Sequence, residues 1–511
     1  MNYPYLPDSF LRMALSLGLI SASLIGHTVM ASDWSLEIYR TSRSGEKMQP
    51  VDLVHSDGVK ANALEVYPND TYQRIEGIGG AFTESSAAAL AGLPAEKRTE
   101  VLDAYFSPQG AGYSLMRTHI ASCDFSLSNY TYASEADDLD LSSFTIEPDR
   151  RYLLPLIKDS QKVAGADFRI LASPWTAPPW MKDNGTWNGG KLLPRYKSTF
   201  AQYLAKYIDA YEAEGIPIWG ITPINEPEGN GENWESMIFN PHEMSSFIAE
   251  HLGPVFSSEG IDTKIYVFDQ NRDHMREWAE VIFNDADATR YLSGMAVHWY
   301  SSTVSVCEDE LDAVHDMFPE MGIIQSEGCI DALGDDEPID SWLEPDWWWR
   351  KEATDWGWIW APEETKADHP KYAPVYRYAR DLIGGLNHWM SGWIDWNIVL
   401  DFRGGPNHAS NFCGAPVLVD AESGEVFYTP LYYVMSHFSR FVRPGAKRIG
   451  LGDTPDGLLA TAALNVNGTV VVVVLNDSPE SKVFELKLEG FSQFVEAPAE
   501  SIQTIRLSNA D

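Results

Sequence analysis

Positive charge is scarce in this sequence of 511 residues: 37 Lys and Arg stand against 74 Asp and Glu, for a net charge of −37. That balance argues against nucleic acid as a partner, because phosphate binding needs clustered Lys and Arg. It argues equally against anionic membrane surfaces and leaves neutral sugars open as ligands. Cysteine is sparse too. Cys123, Cys307, Cys329 and Cys413 permit two disulfides, but their spacing fits no zinc pattern, and free core thiols are the expectation. Beyond the N-terminus no segment reaches about 18 uninterrupted apolar residues, the length a membrane span needs. A nucleotide-binding turn is also missing, for Gly77-Ile-Gly-Gly80 runs into Ala-Phe-Thr-Glu instead of a fingerprint helix. This weighs against a doubly wound open sheet.

The N-terminus reads as an export signal. Arg12 precedes an apolar stretch from Met13 to Gly26, and Val29-Met30-Ala31 offers small residues for cleavage before Ser32. The stretch is short and rich in Ser and Gly, so an uncleaved anchor ranks second. The expectation is a signal peptide over residues 1–31 and a secreted or periplasmic protein without stable membrane insertion. The remaining length suits one large barrel or sandwich plus a satellite.

Between residues 75 and 400 one theme repeats: a short apolar strand, a polar or Gly-rich tip, then a helix-like stretch. The candidate strands are Ile75–Phe82, Tyr113–Ile120, Phe168–Ser173, Trp219–Ile224, Lys264–Phe268, Gly294–Trp299, Gly322–Gln325 and Gly392–Trp396. Eight is the number that closes a parallel (β/α)8 TIM barrel, so the expected fold class is α/β. From Arg195 to Glu214 the apolar residues Phe200, Leu204, Tyr207, Ile208 and Tyr211 share one helical face. Met244, Phe247, Ile248, Leu252 and Val255 repeat that pattern. A long connection from about residue 331 to 391 carries Trp342, Trp347, Trp348, Trp349, Trp356, Trp358 and Trp360. Most of these rings should pack the excursion onto the barrel, leaving one or two for the rim of a pocket.

After residue 415 the pattern becomes all-β. Val417–Val419, Leu458–Asn465, Thr469–Leu475, Lys482–Leu488 and Ser501–Leu507 are strand-like, with a hairpin turn at Asn467-Gly468. Ser35–Tyr39 and Ala63–Tyr67 precede the barrel and are strand-like as well. Both chain ends are therefore expected to share one side sandwich: residues 32–72 and 415–511, flanking a catalytic barrel over 73–414.

Residues at the C-terminal ends of barrel strands converge on one pocket. Here those positions hold Arg117, Trp175, Asn225, Glu226, His298, Tyr300, Glu327, Asp395 and Trp396. A lone Glu at a strand end is usually a solvated loop residue. Two acids together with an Arg, a Tyr and several aromatics are harder to dismiss. Strands four and seven lie on opposite sides of the barrel, so Glu226 and Glu327 face across its mouth. A carboxylate pair there suits glycosidic cleavage, at about 5–5.5 Å for retention of configuration or about 6.5–9.5 Å for inversion. Glu327, near Arg117 and the Tyr300 hydroxyl, should stay ionised and act as nucleophile. Glu226, flanked by Asn225, Pro223 and Pro227, should hold its proton and serve as general acid, then base.

Several stretches also resemble a known family. They are Arg117-Thr-His-Ile-Ala-Ser-Cys-Asp124, Leu171-Ala-Ser-Pro-Trp175-Thr-Ala-Pro-Pro-Trp180, Asn225-Glu226-Pro, Ala296-Val-His-Trp-Tyr300, Ser326-Glu327-Gly-Cys329, Gly392-Trp-Ile-Asp-Trp396-Asn397 and Gly404-Gly-Pro-Asn-His408. The family is glycoside hydrolase family 30, and the group is the glucosylceramidase (acid β-glucosidase) one. The resemblance implies a retaining β-glycosidase with no metal and no cofactor. It implies Glu226 as acid/base and Glu327 as nucleophile, with Arg117 and Tyr300 positioning the latter. Asn225 would bond the sugar 2-hydroxyl, while Asp124, Trp175, Trp396 and Asn411 would hold the rest of a terminal β-glucosyl unit, with His298 beneath. The Trp-rich stretch Ser341–Trp360 departs from the animal ceramide-cleaving enzymes, so the substrate stays open between a glucosylated lipid, an oligosaccharide and a small β-glucoside. A β-1,6-glucanase is the alternative within the family. A carbohydrate-binding protein without catalysis is the alternative outside that class, and it ranks lower because both acids are present. A metal-dependent hydrolase ranks lowest, since His119, His298 and His315 lack clustered ligand spacing.

Overall fold

A computed structural model describes residues 34–53, 61–165, 168–331, 339–354, 357–358 and 361–509. The expected signal peptide, Trp356 and Trp360 lie outside them. Eight parallel strands close a barrel: β1 (Gly77–Phe82), β2 (Leu115–Ile120), β3 (Arg169–Pro174), β4 (Gly220–Ile221), β5 (Lys264–Asn271), β6 (Leu292–His298), β7 (Gly322–Glu327) and β8 (Met390–Asp395). They pair in sequence order and β8 returns to β1. All eight expected strands are there, with shifted ends.

Alternation along the strands builds the interior in layers. Leu115, Leu171, Tyr266, Ala296, Ile324 and Ile394 point inward and form one small apolar cluster. Their neighbours Met116, Ile170, Val267, Val297 and Ile323 point outward into the main core beneath the helices, as expected of strands covered on both faces. Gly79 lets β1 approach β2, since a Cβ there would lie 2.1 Å from the Leu115 carbonyl oxygen.

Two sequence expectations shift for physical reasons. Regular pairing of β4 covers only Gly220–Ile221, because Pro223 lacks an amide donor. The chain still follows β3 to its tip, with the Thr222 and Asn225 amides donating to the Ala172 and Pro174 carbonyls. The second amphipathic helix runs in three pieces, Pro241–Phe247, a wide π turn Ile248–Leu252, and Gly253–Glu259. Pro254 cannot donate to the preceding turn, and the Gly253 amide reaches back to the Ile248 carbonyl instead.

Beside the barrel, nine strands form one sheet that folds over a separate apolar core. Strand Ala63–Arg74 is the corner of this sandwich: it pairs antiparallel with Lys447–Leu451 and parallel with Lys482–Leu488. Trp34–Ser42 pairs with Ser501–Asn509 over its whole length. One expected member of the sandwich sits elsewhere. Val417–Asp420 pairs with Val399–Asp401 and Glu425–Tyr428 on the barrel side, and helix Pro430–Ser439 follows it, packed against β1. This helix buries Leu431, Val434, Met435 and Phe438, which a turn into the sandwich at residue 415 would strand in water.

Candidate active site

The strand tips carry a charged layer two residues above the apolar one. Arg117 follows Leu115, Ser173 follows Leu171, His298 follows Ala296, Ser326 follows Ile324 and Trp396 follows Ile394. On β5 the count is three. A bulge between Phe268 and Gln270 leaves Phe268 packed against Trp278 in the outer core and turns Asp269 inward. Both residues have positive φ, 80° and 55°.

Asp269 is the hub of this layer. Its Oδ2 accepts from Arg117 Nη2 at 2.7 Å, Thr222 Oγ1 at 2.7 Å and Ser173 Oγ at 3.0 Å. Its Oδ1 accepts from Ser326 Oγ at 2.6 Å and bonds His298 Nε2 at 3.0 Å. Burial works to raise the Asp269 carboxyl, but Arg117 and His298 outweigh it and hold the group well below the usual carboxylate range. Arg117 is fully buried and bonds Glu327 Oε2 as well as Asn225 Oδ1, the latter at 2.7 Å. Its guanidinium lies 4.9 Å from the Trp175 ring centre and 5.5 Å from that of Trp396, where the ring quadrupoles favour a cation.

The two glutamates sit in unlike surroundings. Glu327 accepts from Arg117 and from the Tyr300 hydroxyl at 3.1 Å. Tyr300 is itself fixed by its amide, which donates to Asn271 Oδ1 at 3.0 Å. Glu226 stands at φ 47°, a left-handed turn that aims its side chain back over the mouth; its amide donates to the Asp269 carbonyl. Its Oε1 meets His298 Nδ1 at 3.3 Å. Burial pushes the Glu226 carboxyl up, and the His298 contact offsets only part of that. For His298 itself, burial works downward, but Glu327, Asp269 and Glu226 together push it up to about 9. The ring is therefore an imidazolium at neutral pH, donating from both nitrogens. Oxygens of Glu226 and Glu327 and a nitrogen of His298 lie within 4.8 Å of one another. That spacing could also suit a metal ion, which would first have to displace a proton from the His298 ring.

The cavity above this layer measures about 650 Å³. Asp124, Trp175, Asn225, Trp396 and Asn411 line it together with the two glutamates and Tyr300. Trp175 and Trp396 stack at 5.3 Å between ring centres. Asn411 Nδ2 donates to Asp124 Oδ2 at 2.9 Å, while Asp124 Oδ1 is buried with no partner among the described residues. Burial, with Glu327 nearby, raises the Asp124 carboxyl well above its usual range. An unpaired polar atom at a cavity wall is a costly arrangement unless a ligand hydroxyl completes it. Asn407 holds Asn411 by bonds to its amide and carbonyl, at 3.1 and 2.5 Å.

Other strand-end residues fall outside the cavity. Asp395 is buried beneath it, accepting from the Tyr378 hydroxyl at 2.5 Å. His119 is committed to the Glu84 amide and the Ala121 carbonyl, and His315 stacks on Trp389 at 3.5 Å, so neither shares a ligand set with His298. Trp342, Trp347, Trp348 and Trp349 are buried in the excursion and do not line the cavity; Trp358 is exposed. Sequence reasoning missed Asp269, because the fifth strand was ended at Phe268, and also Trp234, Gln270 and Asn271, which line the far side. The run Val-Phe-Asp-Gln-Asn holds an acid and two amides at a strand end, but nothing in it marks the bulge that turns Asp269 inward.

Paired carboxylates of unequal environment across a barrel mouth, beside stacked tryptophans, define a site of the glycoside-cleaving class. Comparison with known proteins leads to the same class. The model described as the glycosyl hydrolase family 30 TIM-barrel domain matches residues 75–342 and 353–442, and that of the family's beta sandwich domain matches 445–505. The chain is 32% identical to lysosomal acid glucosylceramidase of Mus musculus over 454 residues, 86% of this chain and 83% of that one. It is 28% identical to the endo-1,6-beta-D-glucanase of Neurospora crassa over 483 residues, 91% of each. Among solved structures, the endo-beta1,6-glucanase BT3312 superposes with a TM-score of 0.78 at 28% identity, covering 92% of this chain and 99% of that one. The chain belongs to glycosyl hydrolase family 30 and is a glycoside hydrolase.

Proposed function

We propose that this chain is a retaining β-glucosidase of glucosylceramidase type, with Glu327 as nucleophile and Glu226 as acid/base. The observation that carries the reading is the asymmetry of the pair. Glu327 takes two hydrogen bonds, one from a guanidinium, and these fix its carboxylate in place at the cavity floor. Glu226 is pushed towards its protonated form by burial. Their approach within 4.8 Å suits direct attack, since inversion needs room for a water between carboxyls about 6.5–9.5 Å apart.

In the first step Glu226 gives its proton to the glycosidic oxygen while Glu327 attacks the anomeric carbon from the opposite face. A covalent glycosyl-enzyme forms and the aglycone leaves. Glu226, now a carboxylate, takes a proton from water as that water attacks, and Glu327 departs with its original charge. Arg117 and Tyr300 hold Glu327 in line. Asn225, fixed by Arg117, meets the sugar 2-hydroxyl, and the unpaired Asp124 oxygen receives another hydroxyl beside the stacked tryptophans. The imidazolium of His298 bridges Asp269 and Glu226 and keeps the acid's carboxyl from turning away.

A second reading, a β-1,6-glucanase, is favoured by the far wall, where Trp234, Asn230, Asn233 and Gln270 offer a ring face and amides to a further sugar. Export through residues 1–31 belongs to the same proposal, and the N-terminal residue of protein recovered outside the cytoplasm tests it. For the catalytic reading, Glu327→Gln should lose roughly four orders of magnitude or more in kcat on an aryl β-glucoside, with an unchanged circular dichroism spectrum. Parental turnover by that variant would sink the assignment. Rates on glucosylceramide against β-1,6-glucan, with the anomer of the first product read by NMR, separate the two substrates.

A further inference from the structure

Next to the reacting carboxylates, Ile330–Asp331 and Cys413–Gly414 pair as a two-stranded antiparallel ribbon with Asp331 opposite Cys413. Cys329 lies two residues before Asp331, so strand alternation brings its side chain to the same face. The result is a triangle of donors. Cys329 Sγ and Cys413 Sγ are 3.1 Å apart, and Asp331 Oδ1 is 3.5 Å from each. All three residues border the cavity, and Asp331 Oδ2 is buried with no hydrogen-bond partner among the described residues. None of them has a part in the hydrolytic steps above.

We propose that Cys329, Asp331 and Cys413 form a binding site for a thiophilic divalent cation such as Zn2+ or Cd2+. The donor set is right for such ions: two sulfurs and one carboxylate, with a fourth position open to the cavity. Zn–S bonds of about 2.3 Å in a tetrahedron hold two sulfurs roughly 3.7 Å apart, so the pair need open only by a fraction of an ångström. A disulfide fits less well. It requires the sulfurs to close to about 2.05 Å, and it removes both thiol donors from Asp331, leaving that buried carboxyl without either. On ion entry two S–H bonds break, two metal–sulfur bonds and one metal–oxygen bond form, and two protons pass to solvent. Binding itself is independent of the hydrolytic reading; its effect on turnover rests on that reading. Cys329 Sγ lies 3.4 Å from the Tyr300 hydroxyl that also bonds Glu327, so a cation held by Cys329 draws on the same hydroxyl and inhibits the enzyme.

The test uses the full chain, reduced and stripped by chelator, titrated with Zn2+ by calorimetry in buffers of differing ionisation enthalpy. The expected result is one ion per chain with release of about two protons. Cd2+ should produce a thiolate-to-metal charge-transfer band. Cys413→Val should abolish that band and weaken Zn2+ binding by at least about 100-fold, Asp331→Asn should weaken it by about 10-fold or more, and Cys307→Ser should leave both intact. Zn2+ should inhibit the parent but not Cys413→Val. Unaltered Zn2+ affinity in both Cys413→Val and Asp331→Asn overturns the proposal. So does recovery of the native chain with Cys329 and Cys413 already joined and closed to alkylation.

Discussion

Two layers of the same barrel interior, one step apart along the strands, are built on opposite terms. The lower layer, Leu115, Leu171, Tyr266, Ala296, Ile324 and Ile394, is apolar and self-contained. The upper one, Arg117, Ser173, Asp269, His298 and Ser326, is polar and wholly buried, and every charge in it has an opposite charge within reach. Burying apolar groups stabilises a fold outright, whereas a buried ion pair does little better than break even against its desolvation cost. The lower layer therefore accounts for stability, and the upper layer is explained by what stands above it: two glutamates held in unlike surroundings.

Substitutions can break that division. After Glu327→Gln, the largest effect is expected at Asp269. Asp269→Ala leaves Arg117 and His298 buried without their shared counter-charge and should cost about 3–5 kcal/mol in denaturant unfolding, with kcat falling as well. Leu171→Ala, one step lower in the interior on β3, should cost about 3 kcal/mol through the cavity it opens. Its turnover per folded molecule should stay near parental, measured below the shifted melting temperature. Equal kcat losses for the two variants would erase the distinction between the layers. The subtlest change is expected at His298. With Glu226 in the proposed role of general acid, activity should fall as pH rises through its pKa, which burial has raised and His298 partly pulls back. His298→Gln removes that pull, and the alkaline limb of kcat/KM should move to higher pH. A shift to lower pH would mean that the imidazolium does not act on Glu226.

The sequence carried the apolar periodicity that fixes eight strands, because strands buried on both faces need continuous runs of Val, Ile and Leu. Both glutamates were legible for the same reason: each ends such a run. Asp269 was not, because a bulge changes the inward face by one residue and nothing in Val-Phe-Asp-Gln-Asn marks where that happens. The tryptophans of the excursion were legible as a cluster but not as a destination. Trp348 lies where a Cβ on Gly414 would meet its ring at 3.0 Å, so it buttresses the ribbon from outside the cavity, and that depends on the fold of a 60-residue connection rather than on any local pattern. The strand at Val417–Asp420 was read correctly as a strand and assigned to the wrong sheet, since alternation names a face but not a partner.

The pairing of Trp34–Ser42 with Ser501–Asn509 has a bearing on synthesis. The early strand has its neighbour more than 450 residues downstream, and strand Ala63–Arg74, which leads directly into β1, closes against partners beyond residue 446. Loop closure over such separations is slow, and its entropy is lost before any contact repays it. A nascent chain emerging from the ribosome can assemble barrel units one after another, but its opening strand, paired locally only with the short Gln49–Val51, keeps its other edge open until nearly the whole polypeptide has appeared. That exposed edge makes an extended, holdase-bound state the natural partner of this topology during biogenesis.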